Sequence, residues 1–230
     1  IDYAKARETM VEQQVRPWDV LDARVLETIG SVPREAFVPE ALRALAYADT
    51  ALPLGHGESM MKPVLEGRAL QALRPRFDAK RGTLDWYCVD HWSDELGLDI
   101  PALKHELRDE IRYLEGAADF LDLLRGLGKR VLLTTNAHPL SLRVKDSQTQ
   151  LSRHFDELVT SHEFGVPKEH PEFWVELARR HDVPLARTLF VDDSAAVLQA
   201  AQQARVGWIY QVLQPDSTRP PHSPVPGIAG

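Results

Sequence analysis

From residue 113 onward the chain alternates short apolar runs with amphipathic stretches. KRVLLTTN, ELVTS, TLFVDD and GWIYQVL read as buried strands, each short, apolar and rich in β-branched or aromatic residues. DFLDLLRGLG reads as a helix stopped by Gly128, and DSQTQLSRHF, HPEFWVELARRH and SAAVLQAAQQA carry helical spacing. Strand–helix alternation with short connections predicts an α/β protein with a parallel, doubly wound sheet over residues 113–214.

The front half has a different pattern. KARETMVEQQV and LDARVLETIGSV place apolar residues near helical intervals, and Pro17, Pro33, Pro39 and Pro53 break the helices. ALPLGHGESMMKP reads as a loop, with Gly55, Gly57 and Pro63 as breakers and His56 and Ser59 as turn residues. Residues 74–83 are polar, basic and poor in apolar side chains, as at a junction. Beyond it Leu84, Cys88, Trp92 and Leu96 recur every four residues, so residues 84–112 read as a helical segment with one buried stripe and Cys88 in the core. The proline-rich end, residues 215–230, reads as extended or disordered. The organisation is thus a helical front over 1–73, a junction, a helical segment, an α/β core and a tail.

Composition narrows the functional classes. Of 230 residues, 43% are hydrophobic and 27% charged, as in ordinary globular proteins. A net charge of −7 argues against nucleic-acid polymers and anionic membranes as partners. A single cysteine rules out an internal disulfide and any multi-cysteine metal site, and it suits a reducing cytoplasm. The charged first residues lack the apolar core of a secretory signal, and no apolar run reaches membrane-spanning length. The histidines show no H-E-x-x-H spacing.

In a doubly wound sheet, ligands sit beyond the carboxyl ends of the strands. Thr134, Thr135 and Asn136 end one predicted strand, Lys168 follows the next in a loop, and Asp192 and Asp193 end the third. Hydroxyl, amide and ammonium groups hold phosphate oxygens, while carboxylates hold a hard cation such as Mg²⁺. Taken singly, a Thr-Asn pair more often caps a helix, a loop lysine is more often solvated, and an Asp pair often caps the next helix. Together, in this order, they form a set suited to phosphoryl transfer.

The same residues carry a family resemblance. VLLTTNAHPLSLRVK, EFGVPKEHPEFW and RTLFVDDSAAVL resemble the second, third and fourth motifs of the haloacid dehalogenase superfamily of phosphatases. TLDWYCVDHWSDELGLDI and TTNAHP are similar to its bacterial GMP/IMP nucleotidase branch. The resemblance implies a Rossmann-like sheet and a phosphomonoester or nucleotide as the small-molecule partner. It implies phosphate contacts from Thr135 and Asn136, catalytic stabilisation of the phosphoryl group by Lys168, and Mg²⁺ held by Asp193 with Asp192 beside it. The helical segment 84–112 would be part of a cap over the substrate.

One motif of that family is missing. Its nucleophile is the first aspartate of a D-x-D-G-T stretch on the first strand, and nothing ahead of residue 84 supplies it. FDAKRGT comes nearest, but Lys80 stands where the second acid belongs and no apolar strand precedes it. Residues 1–73, through VPREAFVPEALRALAYAD and LPLGHG, instead resemble the N-terminal region of bacterial protein-L-isoaspartate O-methyltransferases. No glycine-rich loop for S-adenosylmethionine follows, so that cofactor is not expected. The expected product is a chimera-like chain: a phosphatase scaffold whose central first strand is missing or irregular, impaired in catalysis, holding Mg²⁺ weakly and prone to self-association. A methyltransferase-like protein without its cofactor loop and a non-catalytic phosphate or nucleotide binding module are the alternatives.

Overall fold

Residues 1–216 and 220–230 are described in the computed structural model, and they fall into two units, Ile1–Ala79 and Lys80–Gly230. In the first unit, Asp2 starts helix α1 (Tyr3–Met10) by accepting the Lys5 N–H at 3.0 Å. Asp22 starts α2 (Ala23–Ser31) by accepting the N–H groups of Arg24 and Val25. Pro33 and Pro39 lead into short 3₁₀ turns, Arg34–Phe37 and Glu40–Leu45, as proline-broken helices should.

One expectation for this unit is corrected. The stretch read as a loop folds into a hairpin, β1 (Leu52–Gly55) and β2 (Glu58–Met60), paired antiparallel with Leu52 opposite Met60. Ser59 therefore lies on a strand, while His56 sits in the turn at φ +52 between two glycines that are also left-handed. The predicted junction, 74–83, is helical over most of its length, since α3 runs Pro63–Lys80 straight through Pro75, and the boundary between the two units falls inside it. Its fit depends on Gly67, since a Cβ there would lie 3.0 Å from both Val15 and Ile29. Met10, Val15 and Val20 are fully buried at the centre of this unit.

In the second unit the four-residue spacing from Leu84 does not give one helix. A 3₁₀ turn (Leu84–Tyr87) is followed by α4 (Val89–Leu96), and the break falls at Cys88. Cys88 takes an extended backbone and its sulfur accepts the His91 N–H at 3.5 Å, which makes it a helix cap and only half-buried. Helices α5 (Ile100–Glu106) and α6 (Ala117–Gly126) precede the strands. Strand β3 (Leu132–Thr135) is followed by α7 (Pro139–Thr149), which starts and ends earlier than the DSQTQLSRHF pattern suggested because His138 caps it and Gln150 turns left-handed. Then come β4 (Glu157–Thr160), α8 (Pro171–Arg180), β5 (Leu189–Asp192), α9 (Ala195–Gln203) and β6 (Trp208–Gln211).

The strands form two parallel pairs rather than one sheet. In the first, β3 runs beside β4 with Thr135 opposite Thr160; in the second, β5 runs beside β6 with Asp192 opposite Gln211. Among the described residues no strand joins β3 to β5, so each keeps an unpaired edge. The core lies under these pairs: Val159, Phe173, Trp174, Phe190 and Leu198 are buried, with the Trp174 and Phe190 rings edge-to-face at 4.8 Å. The opposite face of β5 and β6 is bare, with Leu189 53% and Trp208 61% exposed and Val191 and Tyr210 beside them. The described part of the tail, 220–230, is extended but docked. Val225 is buried, its N–H bonds Gln211 Oε1 at 2.8 Å, and Ala229 bridges to Tyr210. Residues 217–219 of the predicted tail lie outside the described residues.

Candidate functional site

The polar groups predicted from the strand ends meet around Lys168. Its ammonium donates to the Thr134 carbonyl on β3 at 3.3 Å and to Asp192 Oδ2 on β5 at 2.6 Å. One side chain thus reaches from the end of one strand pair to the end of the other. It is a buried ion pair, both side chains being 10% exposed, and not the solvated loop lysine that sequence statistics favour.

Asn136 builds the lysine's loop. Its Oδ1 accepts the Lys168 N–H at 2.8 Å and its Nδ2 donates to Glu169 Oε2 at 2.8 Å, so both ends of the buried amide are engaged. Trp174 Nε1 donates to the Lys168 carbonyl at 3.0 Å and fixes the loop from the core side. Thr135 Oγ1 accepts the Ala137 N–H at 3.0 Å, holding the turn out of β3. Asp192 caps the turn out of β5 by accepting the Ser194 N–H on Oδ1 at 2.9 Å. The Asp193 carboxylate makes no hydrogen bond among the described residues, and its carbonyl meets His222 Nδ1 at 3.2 Å.

Two residues that the sequence did not single out belong to this constellation. Glu169 receives the Asn136 amide and, through a short bond, the Tyr87 hydroxyl. Burial, and then the Glu169 carboxylate beside it, push the Tyr87 phenol well above its ordinary value, which keeps it a protonated donor. The only available clue was the Lys-Glu adjacency at 168–169.

The cation-binding capacity of this set is modest. Both Asp192 oxygens are occupied, and neither Asp192 nor Asp193 belongs to a group of three potential ligands among the described residues. Mg²⁺ prefers six oxygens and is commonly held by one or two carboxylates with substrate phosphate and water. The residues therefore fit a loosely held Mg²⁺ at Asp193 and do not fit a tight one.

The family profile described as haloacid dehalogenase-like hydrolase matches residues 35–205. The chain belongs to the haloacid dehalogenase-like hydrolases. It is 41% identical over 149 residues to the GMP/IMP nucleotidase YrfG of Escherichia coli, covering 65% of this chain and 67% of that protein. A second resemblance has another origin: 44% identity over 72 residues to protein-L-isoaspartate O-methyltransferase 1 of Rhodopseudomonas palustris, 31% of this chain and 29% of that protein. The chain thus spans less than a third of that methyltransferase.

Solved structures agree on the fold of this haloacid dehalogenase-like chain. A HAD phosphatase from Thermococcus onnurineus superposes with a TM-score of 0.57 at 17% identity, over 71% of this chain and 75% of the other. A HAD family enzyme from Bacteroides thetaiotaomicron, crystallised with magnesium and inorganic phosphate, gives 0.51 at 15% identity over 64% and 82%. Among the described residues no helix is long and apolar enough to cross a membrane.

Proposed function

We propose that residues Lys80–Gly230 bind a nucleotide-like phosphomonoester at the ends of β3 and β5 and turn it over poorly or not at all. The observation that carries this reading is the position of Lys168, whose ammonium bridges Thr134 and Asp192 across the place where the two strand pairs do not meet. A buried ammonium is suited to phosphate oxygens, provided it gives up one of its present acceptors. Thr135 and Asn136 flank it: the Thr135 hydroxyl, which accepts the Ala137 N–H, keeps its own O–H to donate to phosphate, while the Asn136 amide now donates to Glu169. Mg²⁺, held loosely by Asp193 with Asp192 beside it, would neutralise phosphate charge when bound. The D-x-D-G-T motif that carries the family's aspartate nucleophile has no counterpart in the sequence, so efficient transfer of the phosphoryl group to the protein is not expected.

The front unit fits the same reading as a joined fragment. After β2 the chain enters α3 directly, with no glycine-rich loop for S-adenosylmethionine, so methyl transfer is not proposed. The join near residues 74–83 would account for a missing first strand and for two partial resemblances at once.

Titration calorimetry with inorganic phosphate and with GMP tests the binding claim. Lys168→Ala is expected to weaken both by about tenfold or more, a loss typical of a charge-assisted contact, and Lys168→Arg to recover part of it. Equal affinity in all three folded proteins, checked by their melting curves, would remove the site.

A further inference from the structure

Away from the lysine, three side chains from distant segments converge on one point. Cys88 caps α4, His138 caps α7 beyond β3, and His162 lies in the single turn Ser161–Glu163 beyond β4. One ligand atom from each can be chosen so that all lie within 4.8 Å of one another. The His138 and His162 rings stand edge-to-face at 4.8 Å. Among the described residues both ring nitrogens of His162 are buried with no hydrogen-bond partner. A buried polar group without a partner destabilises a fold, so a bare imidazole here calls for a ligand.

We propose that Cys88, His138 and His162 form a zinc site, with Asp90 completing the shell. A thiolate and two imidazoles are borderline-soft donors, the set that selects Zn²⁺ over Mg²⁺. Tetrahedral zinc brings its ligand atoms to roughly 3.3–3.7 Å of one another, so side-chain movements of about 1 Å close the cluster once His138 gives up the hydrogen bond its Nδ1 accepts from the Leu140 N–H. The Asp90 carboxylate lies 3.5 Å from His138 Nε2 and is 62% exposed, free to swing in as fourth ligand or to orient the ring. Coordination releases the Cys88 proton to solvent and gives one His162 nitrogen its missing partner. The site ties the helical segment after residue 84 to the loops that follow β3 and β4. Its ligands are distinct from Lys168, Asp192 and Asp193, so it does not rest on the phosphate reading.

The test uses the full chain, freed of metal and reloaded with Zn²⁺ or Co²⁺. Cys88 is the only cysteine, so alkylation by iodoacetamide reports on it alone. Equimolar Zn²⁺ is expected to suppress that alkylation, and Co²⁺ to give a sulfur-to-cobalt charge-transfer band. Excess Mg²⁺ should change neither. His162→Ala and Cys88→Ser should weaken zinc by about 100-fold or more, since losing even an outer-shell partner can cost that much. Asp193→Asn should leave zinc affinity unchanged. An unprotected thiol in the wild-type protein at saturating zinc, or a cobalt spectrum without the charge-transfer band, would overturn the proposal even if the variants fail to fold.

Discussion

Lys168 is the residue on which the second unit's polar architecture turns. Its ammonium takes an edge carbonyl of β3 and a carboxylate of β5, and its own amide and carbonyl are clamped by Asn136 and Trp174. Removing one partner of a buried pair leaves the other charged and uncompensated, at a cost of about 3–5 kcal/mol. Lys168→Met and Asp192→Asn should each destabilise by about that much in urea, and the double variant by clearly less than the sum. Additive losses would mean that the two groups do not depend on each other. Both residues were picked out in the sequence, Lys168 for phosphate and Asp192 for a cation, but their pairing with each other was not. Its partners were less so. Glu169 and Tyr87 are ordinary surface types until burial brings them together. The cluster of Cys88, His138 and His162 shows no local spacing, since its members meet only when two strand-end loops and a helix cap converge.

At the scale of elements, apolar runs bounded by glycine or polar residues located all four strands of the second unit, with ends shifted by up to three residues. The hairpin of the first unit was missed because Pro53 interrupts a strand of only four residues. Helix α3 was missed because Leu65, Leu70 and Phe77 are exposed on it, so it has no apolar stripe to recognise, and Pro75 reads as a breaker. Strand β4 offers a test at its entry. Glu157 accepts from Arg130 and, at 2.7 Å, meets His181; Arg130 first and His181 second hold its carboxyl below the ordinary carboxylate value. A depressed folded-state value contributes stability above the unfolded value, roughly pH 4.3, and that stability is lost as pH falls through the folded value. Glu157→Gln should therefore lower stability slightly at pH 7 and flatten its decline below about pH 4.5. An acid limb unchanged in the variant, followed by denaturant midpoints against pH, would remove Glu157 from the account.

For the molecule as a whole, the decisive feature is that, among the described residues, no strand pairs with β3 or β5 on their free edges. Unpaired strand edges and bare apolar faces invite pairing with other chains. The exposed row Leu189, Val191, Trp208 and Tyr210 should therefore make the protein self-associate as concentration rises. Sedimentation velocity should show association that Trp208→Lys reduces, and a monomer at every concentration would speak against it. The position of the missing strand was legible because the family motif that belongs there has no counterpart before residue 84, whereas the side chain that bridges the space became visible only in three dimensions. The function proposed for that place is that a phosphatase fold would hold phosphate without the aspartate that receives the phosphoryl group in its family. Steady-state assay with GMP, IMP and p-nitrophenyl phosphate in the presence of Mg²⁺ tests it most directly. The account predicts turnover far below the roughly 1 s⁻¹ of a competent enzyme. Turnover on the order of 1 s⁻¹ or faster, abolished by Asp193→Ala, would contradict it.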